Sequence, residues 1–253
     1  MTDNNIIVAE KNSELNIVIK YTTQDDTVAI HNGITKIIAK EGSKVNLIKV
    51  QSMNDKSIHF DSNISFVSSL AQVKCISIEI GSNISVTNYV SDLTENLSES
   101  VMKSIYFGSK DMTIDLSYDM VHRGMRTKSD IETRGVLKDT AKKIFRGTLD
   151  FKKGATRSDG AEGEHVILLS PSVKSDSIPL LLCGEDDVTG AHAASVGKID
   201  ENKLFYLMSR GFNEKEAKKL IIEGSFSDII DEIPLIELRE EILDNIQRRL
   251  EDE

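Results

Sequence analysis

GSNISV, residues 81–86, decides how the first half of this chain is read, because the phrase comes back. It stands with DSNISF at 61–66, GSKVNL at 42–47, NSELNI at 12–17 and, more loosely, KSDIET at 128–133. The shared pattern is a turn residue, a serine, any residue and an aliphatic. From Ser43 to Ser62 is 19 residues, from Ser62 to Ser82 is 20 and from Ser13 to Ser43 is 30, so the period is regular only in part. Such self-similarity marks stacked units, none of which can bury its apolar face alone. The flanking segments alternate: Ile76, Ile78 and Ile80 with polar residues, then Met112, Ile114, Leu116, Tyr118 and Met120 with Asp111, Thr113, Asp115, Ser117 and Asp119. A period of two is strand spacing. Turns rich in Gly, Ser, Asn and Asp, only three prolines and no tryptophan suit strands stacked in successive coils. A β-solenoid is therefore expected, with a β-sandwich as the alternative, since strands about 8–12 residues apart serve that fold too. The aspartates of 111–119 read as a solvated outer face.

Composition narrows the classes of function. The 253 residues can bury a substantial core, and a net charge of −10 lacks the surplus of Lys and Arg that supplies non-specific nucleic-acid affinity. There is no apolar run long enough to span a membrane and no signal-peptide pattern, so a cytoplasmic protein that binds neither membrane nor nucleic acid is expected. Cys75 and Cys183, the two cysteines, exclude a CxxC site and are expected to be free thiols.

After Asp200 the period changes. One helix is expected over about 201–209, ending at Arg210-Gly211. A second opens at Asn213 with Glu216 three residues on, the spacing of a capping box, and Gly224 is its expected stop. A third begins near Pro234, and Leu235, Leu238, Ile242, Ile246 and Leu250 form one apolar stripe, expected to dock on the last coil, with a partner protein as the alternative. The division is thus a β-helix core over 1–199 and a small C-terminal helical domain over 200–253.

Between these parts runs LLLCGEDDVTGAHAASVGKID, residues 180–200, which gathers Cys183, Glu185, Asp186, Asp187 and His192. The small residues around His192 would let another backbone approach it. Thiol and imidazole suit iron or zinc as ligands. Read plainly, the same residues are a buried thiol, a solvated turn and a hydrogen-bonded histidine.

The run from SDIETRGVLKDTAKKIFRGTLDFKKGAT (129–156) through HVILLSP and GEDDVTGAHAASVGKIDENKLFYLMSRGFNEKEAKKLIIEGSF resembles the core of the SufB/SufD family of iron–sulfur cluster assembly proteins. The resemblance is strong over about residues 118–226. It implies a right-handed parallel β-helix with a small helical domain, pairing through the β-helix with a second SufB/SufD-family subunit or with itself, and binding of a SufC-like ABC ATPase near the helical end. Phe205, Tyr206, Arg210, Gly211 and Phe226 are the candidate residues of that partner interface. It further implies a scaffold rather than an enzyme, holding a transient cluster or iron at the dimer interface, with nothing bound stably by the isolated chain. His192 sits where SufD-type members have the histidine of SHGAT and SufB-type members that of EHEAT, which makes it the candidate cluster ligand, with Cys183 and Glu185 as lesser ones. The cysteine of the SufB phrase CGAH has no counterpart, since Ala161 to His165 reads AEGEH, so the chain lies nearer the SufD type. The long N-terminal helical region of many members has no counterpart either, which implies a trimmed version. Two other functions stay open: a pairing module without metal, and a β-solenoid enzyme acting on polysaccharides, against which the lack of Trp and the 5% aromatic content argue.

Overall fold

The computed structural model describes residues 1–24 and 26–251. Fourteen strands precede three helices: β1 (Thr2–Ala9), β2 (Glu14–Tyr21), β3 (Ile30–Ala39), β4 (Lys44–Gln51), β5 (Ile58–Val67), β6 (Gln72–Glu79), β7 (Ile84–Leu93), β8 (Glu99–Gly108), β9 (Thr113–His122), β10 (Lys128–Leu137), β11 (Lys142–Phe151), β12 (Ser158–Leu168), β13 (Lys174–Cys183) and β14 (Val188–Lys198), then α1 (Glu201–Ser209), α2 (Glu214–Ile230) and α3 (Ile236–Glu251). The odd strands make one seven-stranded sheet and the even strands another. Every pairing is parallel, so the chain winds as a β-solenoid with two strands in each coil. The sandwich alternative falls on this point, because its sheets would be antiparallel.

The stacking period differs from the serine phrase. Ile58 lies beside Ile84 and Lys142 beside Lys174, offsets of 26 and 32 residues, while Glu14 beside Lys44 gives 30. Only the step from Ser13 to Ser43 is one full coil; Ser43 precedes β4 in one sheet, and Ser62 lies within β5 in the other. What does recur is the turn from odd to even strand. Asn12, Gly42, Leu70, Leu97, Arg126 and Arg157 all have φ between 55° and 68°, and each is followed by a small residue: Ser13, Ser43, Ala71, Ser98, Thr127 or Ser158. Leucine and arginine pay about 1–2 kcal/mol for that left-handed backbone. A ladder of amides holds them there, Leu70 N–H donating to Asn96 O and Leu97 N–H to Met125 O, one coil further on.

Two apolar layers stabilise the fold. Inside the solenoid, Leu47, Cys75, Met102, Tyr118, Phe145 and Phe151 pack in the first. Met112, Ile114, Leu116, Tyr118 and Met120 are buried, as their alternation predicts, and the aspartates between them lie half-exposed, Asp115 paired with Arg146. The second layer lies outside the even sheet. Ile76, Ile78 and Ile80 alternate as expected but face outward, where Ile222, Phe226, Ile229, Ile242 and Ile246 of α2 and α3 cover them. The apolar stripe therefore docks on the middle of the even sheet, not on the last coil. Arg134 fastens this contact, donating to Ser225 O at 2.7 Å and to Asp228 at 2.9 Å. Helix α2 also runs through Gly224 to Ile230: the roughly 1 kcal/mol a mid-helix glycine costs is offset by burial of Phe226, Ile229 and Ile230. Its Asn213–Glu216 capping box is present as read from the sequence. No helix among the described residues is long and apolar enough to cross a membrane.

The solenoid interior also carries charge. Lys49 meets both oxygens of Asp61 at 2.8 Å, and Lys143 meets Glu164 at 2.6 Å with both side chains fully buried. Buried charges persist only when paired and hydrogen-bonded. Ser177 and Tyr106 complete the shell of Glu164.

Candidate functional site

Strands β13 and β14 form the last coil, and each has a neighbour on one side only. Among the described residues, their outer edges are unpaired rows of backbone donors and acceptors. Ile178, Leu180 and Leu182, level with the outward residues Arg146, Thr148 and Asp150 of β11, form an exposed apolar strip on the outer face of β13, and Val196 is exposed on the inward face of β14.

Register settles which way the candidate residues face. Ser158, Gly160, Glu162, Glu164 and Val166 of β12 are its buried, inward residues. Glu162 lies beside His192, and Glu164 beside Ala194. In-register neighbours of parallel strands share a face, so His192 stands on the inward face of the last coil. It is nonetheless exposed, because no further coil covers it. Cys183, beside the buried Phe151, also faces inward and is exposed. A Cβ on Gly190 would come within 2.7 Å of Leu181 Cδ1, so Gly190 stands opposite Leu181, and Val188 is level with Cys183. His192 is four positions further along β14, about 13 Å at ~3.3 Å per residue. Thiol and imidazole share a face without sharing a site.

Glu185 belongs to the turn. Its carboxylate accepts from Gly154 N–H at 2.9 Å and Asp186 N–H at 3.1 Å, and these backbone donors hold its pKa below the usual carboxylate range. Asp187 reaches Arg157 at 3.7 Å. The three carboxylates are thus a polar turn, and no three His, Cys, Asp or Glu side chains converge as a metal site among the described residues. Nor do all the small residues near His192 admit another backbone: Gly190 makes room for Leu181 and Phe151 within the chain, whereas nothing approaches Gly197.

A residue that sequence reasoning passed over is Glu162, the neighbour of His192. It is 4% exposed, its Oε2 has no hydrogen-bond partner, and burial, then the charge of Glu164, pushes its carboxyl up to about 7. Gly147 makes the space, since a Cβ there would lie 2.6 Å from the carboxyl carbon. The only available signal was the coil offset of 30 residues that joins 162 to 192, which the irregular serine phrase does not reveal. Cys75 lies deep in the solenoid, where burial pushes its thiol up to about 12 and keeps it inert.

At the helical end α1 buries no residue. Phe205 is 74% exposed and Tyr206 56%, with Met208, Phe212 and Leu220 also open to solvent. The Arg210 guanidinium sits 5.2 Å from the Tyr206 ring centroid, and Gly211, at φ 101°, turns the chain into α2. Phe226 does not belong with them: it is wholly buried between α2 and the even sheet, where no partner reaches it.

Comparison with known proteins extends the likeness to the first half of the chain. The SufBD core domain of the SUF system for FeS cluster assembly matches residues 1–225. The iron–sulfur cluster assembly protein SufD of Bacillus subtilis is 30% identical over 97% of this chain and 56% of its own length. A SufBD family protein of Staphylococcus epidermidis is 26% identical over 91% of this chain and 50% of its own, and one of Mycobacterium tuberculosis 28% over 82% and 24%. The chain spans about half or less of the length of these curated relatives. With a parallel solenoid, a helical end and a family match over most of its residues, this chain belongs to the SufBD family of iron–sulfur cluster assembly proteins.

Proposed function

We propose that this chain is a non-catalytic scaffold subunit for iron–sulfur cluster assembly, one half of a pair that docks an ABC-type ATPase of the SufC kind on its helical end. The free edges of β13 and β14, with exposed Leu180 and Leu182, offer a surface for a second copy or a related subunit. The α1–α2 face combines Phe205, Tyr206, Phe212 and Arg210, the aromatic and arginine content typical of protein interfaces. The sequence has no GxxxxGK[ST] loop, so nucleotide hydrolysis falls to the partner. The observation that carries the reading is His192, an exposed imidazole on the uncovered last coil, where a pairing subunit would enclose it. Iron or a nascent cluster is then transient cargo at the pairing surface.

The test is reconstitution with the ATPase encoded nearest to this chain. Wild-type protein is expected to co-purify with it and to support cluster transfer, and His192→Ala to retain the complex but lose iron retention. Unchanged iron retention in His192→Ala ends the ligand role; no ATPase association at all ends the scaffold reading. One observation favours a metal-free pairing module: no three-ligand set converges among the described residues. Anaerobic incubation of the paired complex with iron and sulfide, followed by absorption, separates the two.

A further inference from the structure

The inward row that ends in His192 holds an unusual neighbour one coil back. Glu162 is more than nine-tenths buried, its Oε2 is shut off from water, and that oxygen is bonded to nothing in the described structure. A buried acceptor left without a partner is destabilising and calls for an explanation. The other carboxylate of the basin differs in this respect, because Lys143, Tyr106 and Ser177 satisfy Glu164. Adjacent parallel strands lie about 4.8 Å apart, so Glu162 and His192, in register and on one face, are neighbouring residues one coil apart at the open end of the solenoid. Cys183 is four positions away along the coil and does not join them.

We infer that Glu162 and His192 form an oxygen–nitrogen half-site that takes a single divalent cation of the ferrous kind, without help from a cysteine. An anionic oxygen beside a borderline imidazole nitrogen is a donor pair for mononuclear iron with open positions, rather than a thiolate cradle for a sulfide-bridged cluster. Gly147 is part of the device, since any side chain there would press on the carboxyl. The ion supplies the partner that Glu162 Oε2 lacks, and water or an apposed subunit fills the remaining positions. The inference rests on the proposed reading of His192 as facing iron.

The test uses the purified chain under anaerobic conditions, with ferrous ion alone followed by calorimetry and Co²⁺ as the absorbing substitute, and no sulfide present. Saturable binding is expected, weakened about tenfold or more by Glu162→Gln and by His192→Ala and unchanged by Glu185→Gln in the nearby turn. Glu162→Cys in a Cys183→Ser background provides a direct signature: with Cys75 buried, a thiolate-to-Co²⁺ charge-transfer band absent from the Cys183→Ser protein appears only if position 162 lies in the coordination sphere. No binding by the wild type, wild-type affinity in Glu162→Gln, or no band in Glu162→Cys overturns the inference. ATPase co-purification measured on the same proteins keeps the outcomes apart, since Glu162→Gln is expected to leave it intact. Loss of the ion with docking retained strikes only the half-site, whereas ion binding without docking strikes only the scaffold reading.

Discussion

Replacing Lys143 with methionine tests whether charge inside the solenoid is a structural necessity. The ammonium donates to Glu164 Oε1 at 2.6 Å, to Asp176 O at 3.1 Å and to Ser177 Oγ at 3.0 Å, and neither end of the pair is exposed. Burial pushes the Lys143 pKa down, and the attraction of Glu164 opposes that shift. Lys143→Met keeps the stem's volume but leaves a carboxylate in the interior with only hydroxyl donors, Tyr106 at 3.1 Å and Ser177. Breaking a buried pair from one side costs about 3–5 kcal/mol, a large share of the ~5–15 kcal/mol that holds a domain together. With a urea slope of about 3 kcal/mol/M for a chain of this size, the midpoint moves down by roughly 1–1.7 M. The double variant Lys143→Met with Glu164→Gln removes the stranded charge while its amide oxygen still accepts from Tyr106 and its amide nitrogen donates to Ser177 Oγ, so it is expected to recover at least half of the loss. Urea titrations by circular dichroism, with hydrogen exchange at the β11 and β12 amides in case the coils unfold in stages, provide the measurement. A cost below about 1 kcal/mol for the single variant, or a double variant no more stable than the single, would refute the reasoning.

Other expectations follow from particular contacts. His122 is buried against Phe151, bonded to Thr127 Oγ1 at 2.6 Å and Ser129 Oγ at 2.8 Å, and burial holds its pKa at about 4. The unfolded chain gains that proton near pH 6.5, so His122's contribution is full above that value and about 2 kcal/mol is lost between pH 7 and 5; stability curves for wild type and His122→Gln that run parallel would contradict this. Phe226→Ala is expected to cost about 3–5 kcal/mol and to expose α2 and α3 to protease, and wild-type resistance in that variant would count against the docked helical layer. Phe205→Ala with Tyr206→Ala should leave the melting curve within about 0.5 kcal/mol of wild type, since both side chains are exposed, while abolishing ATPase co-purification; retained association would move the docking site elsewhere.

The strands were legible where one face is buried and the other solvated, as at Met112 to Met120, because that asymmetry writes a period of two into the sequence. The coil length was not, because coils of 26 to 32 residues blur any fixed period and the left-handed turn position accepts leucine and arginine as well as glycine and asparagine. Serine recurs because a small residue follows that turn, and it also occurs inside strands, which produced the misleading steps of 19 and 20. Ile76, Ile78 and Ile80 show a related limit: alternation identifies an apolar face but does not say whether the solenoid or a helix covers it. Phe226, placed at the partner interface by the family resemblance, shows the same limit, since a helix that buries a face against its own sheet has the pattern of one that offers it to another protein. His192 was legible through its phrase, while Glu162 required the register, which belongs to the fold and not to any local motif.

The open coil couples the two proposed activities. A solenoid end exposes both strand edges and an inward face that every other coil hides, and such an end must be capped or paired to remain soluble. Here the exposed strip of Ile178, Leu180 and Leu182 and the imidazole of His192 belong to the same coil. A subunit that pairs across this open coil also removes water from around His192, and electrostatic attraction between an ion and its ligands grows as the local dielectric falls. Pairing and ion retention are then linked in both directions: whatever affinity the ion gains from the second subunit, the second subunit gains from the ion. On the proposed reading, an ATPase docked on the helical end would need no contact with the ion to release it, because shifting the pairing equilibrium would suffice. Arg134 links the two regions: its guanidinium joins β10, whose neighbour β12 carries Glu162, to Ser225 and Asp228 of α2.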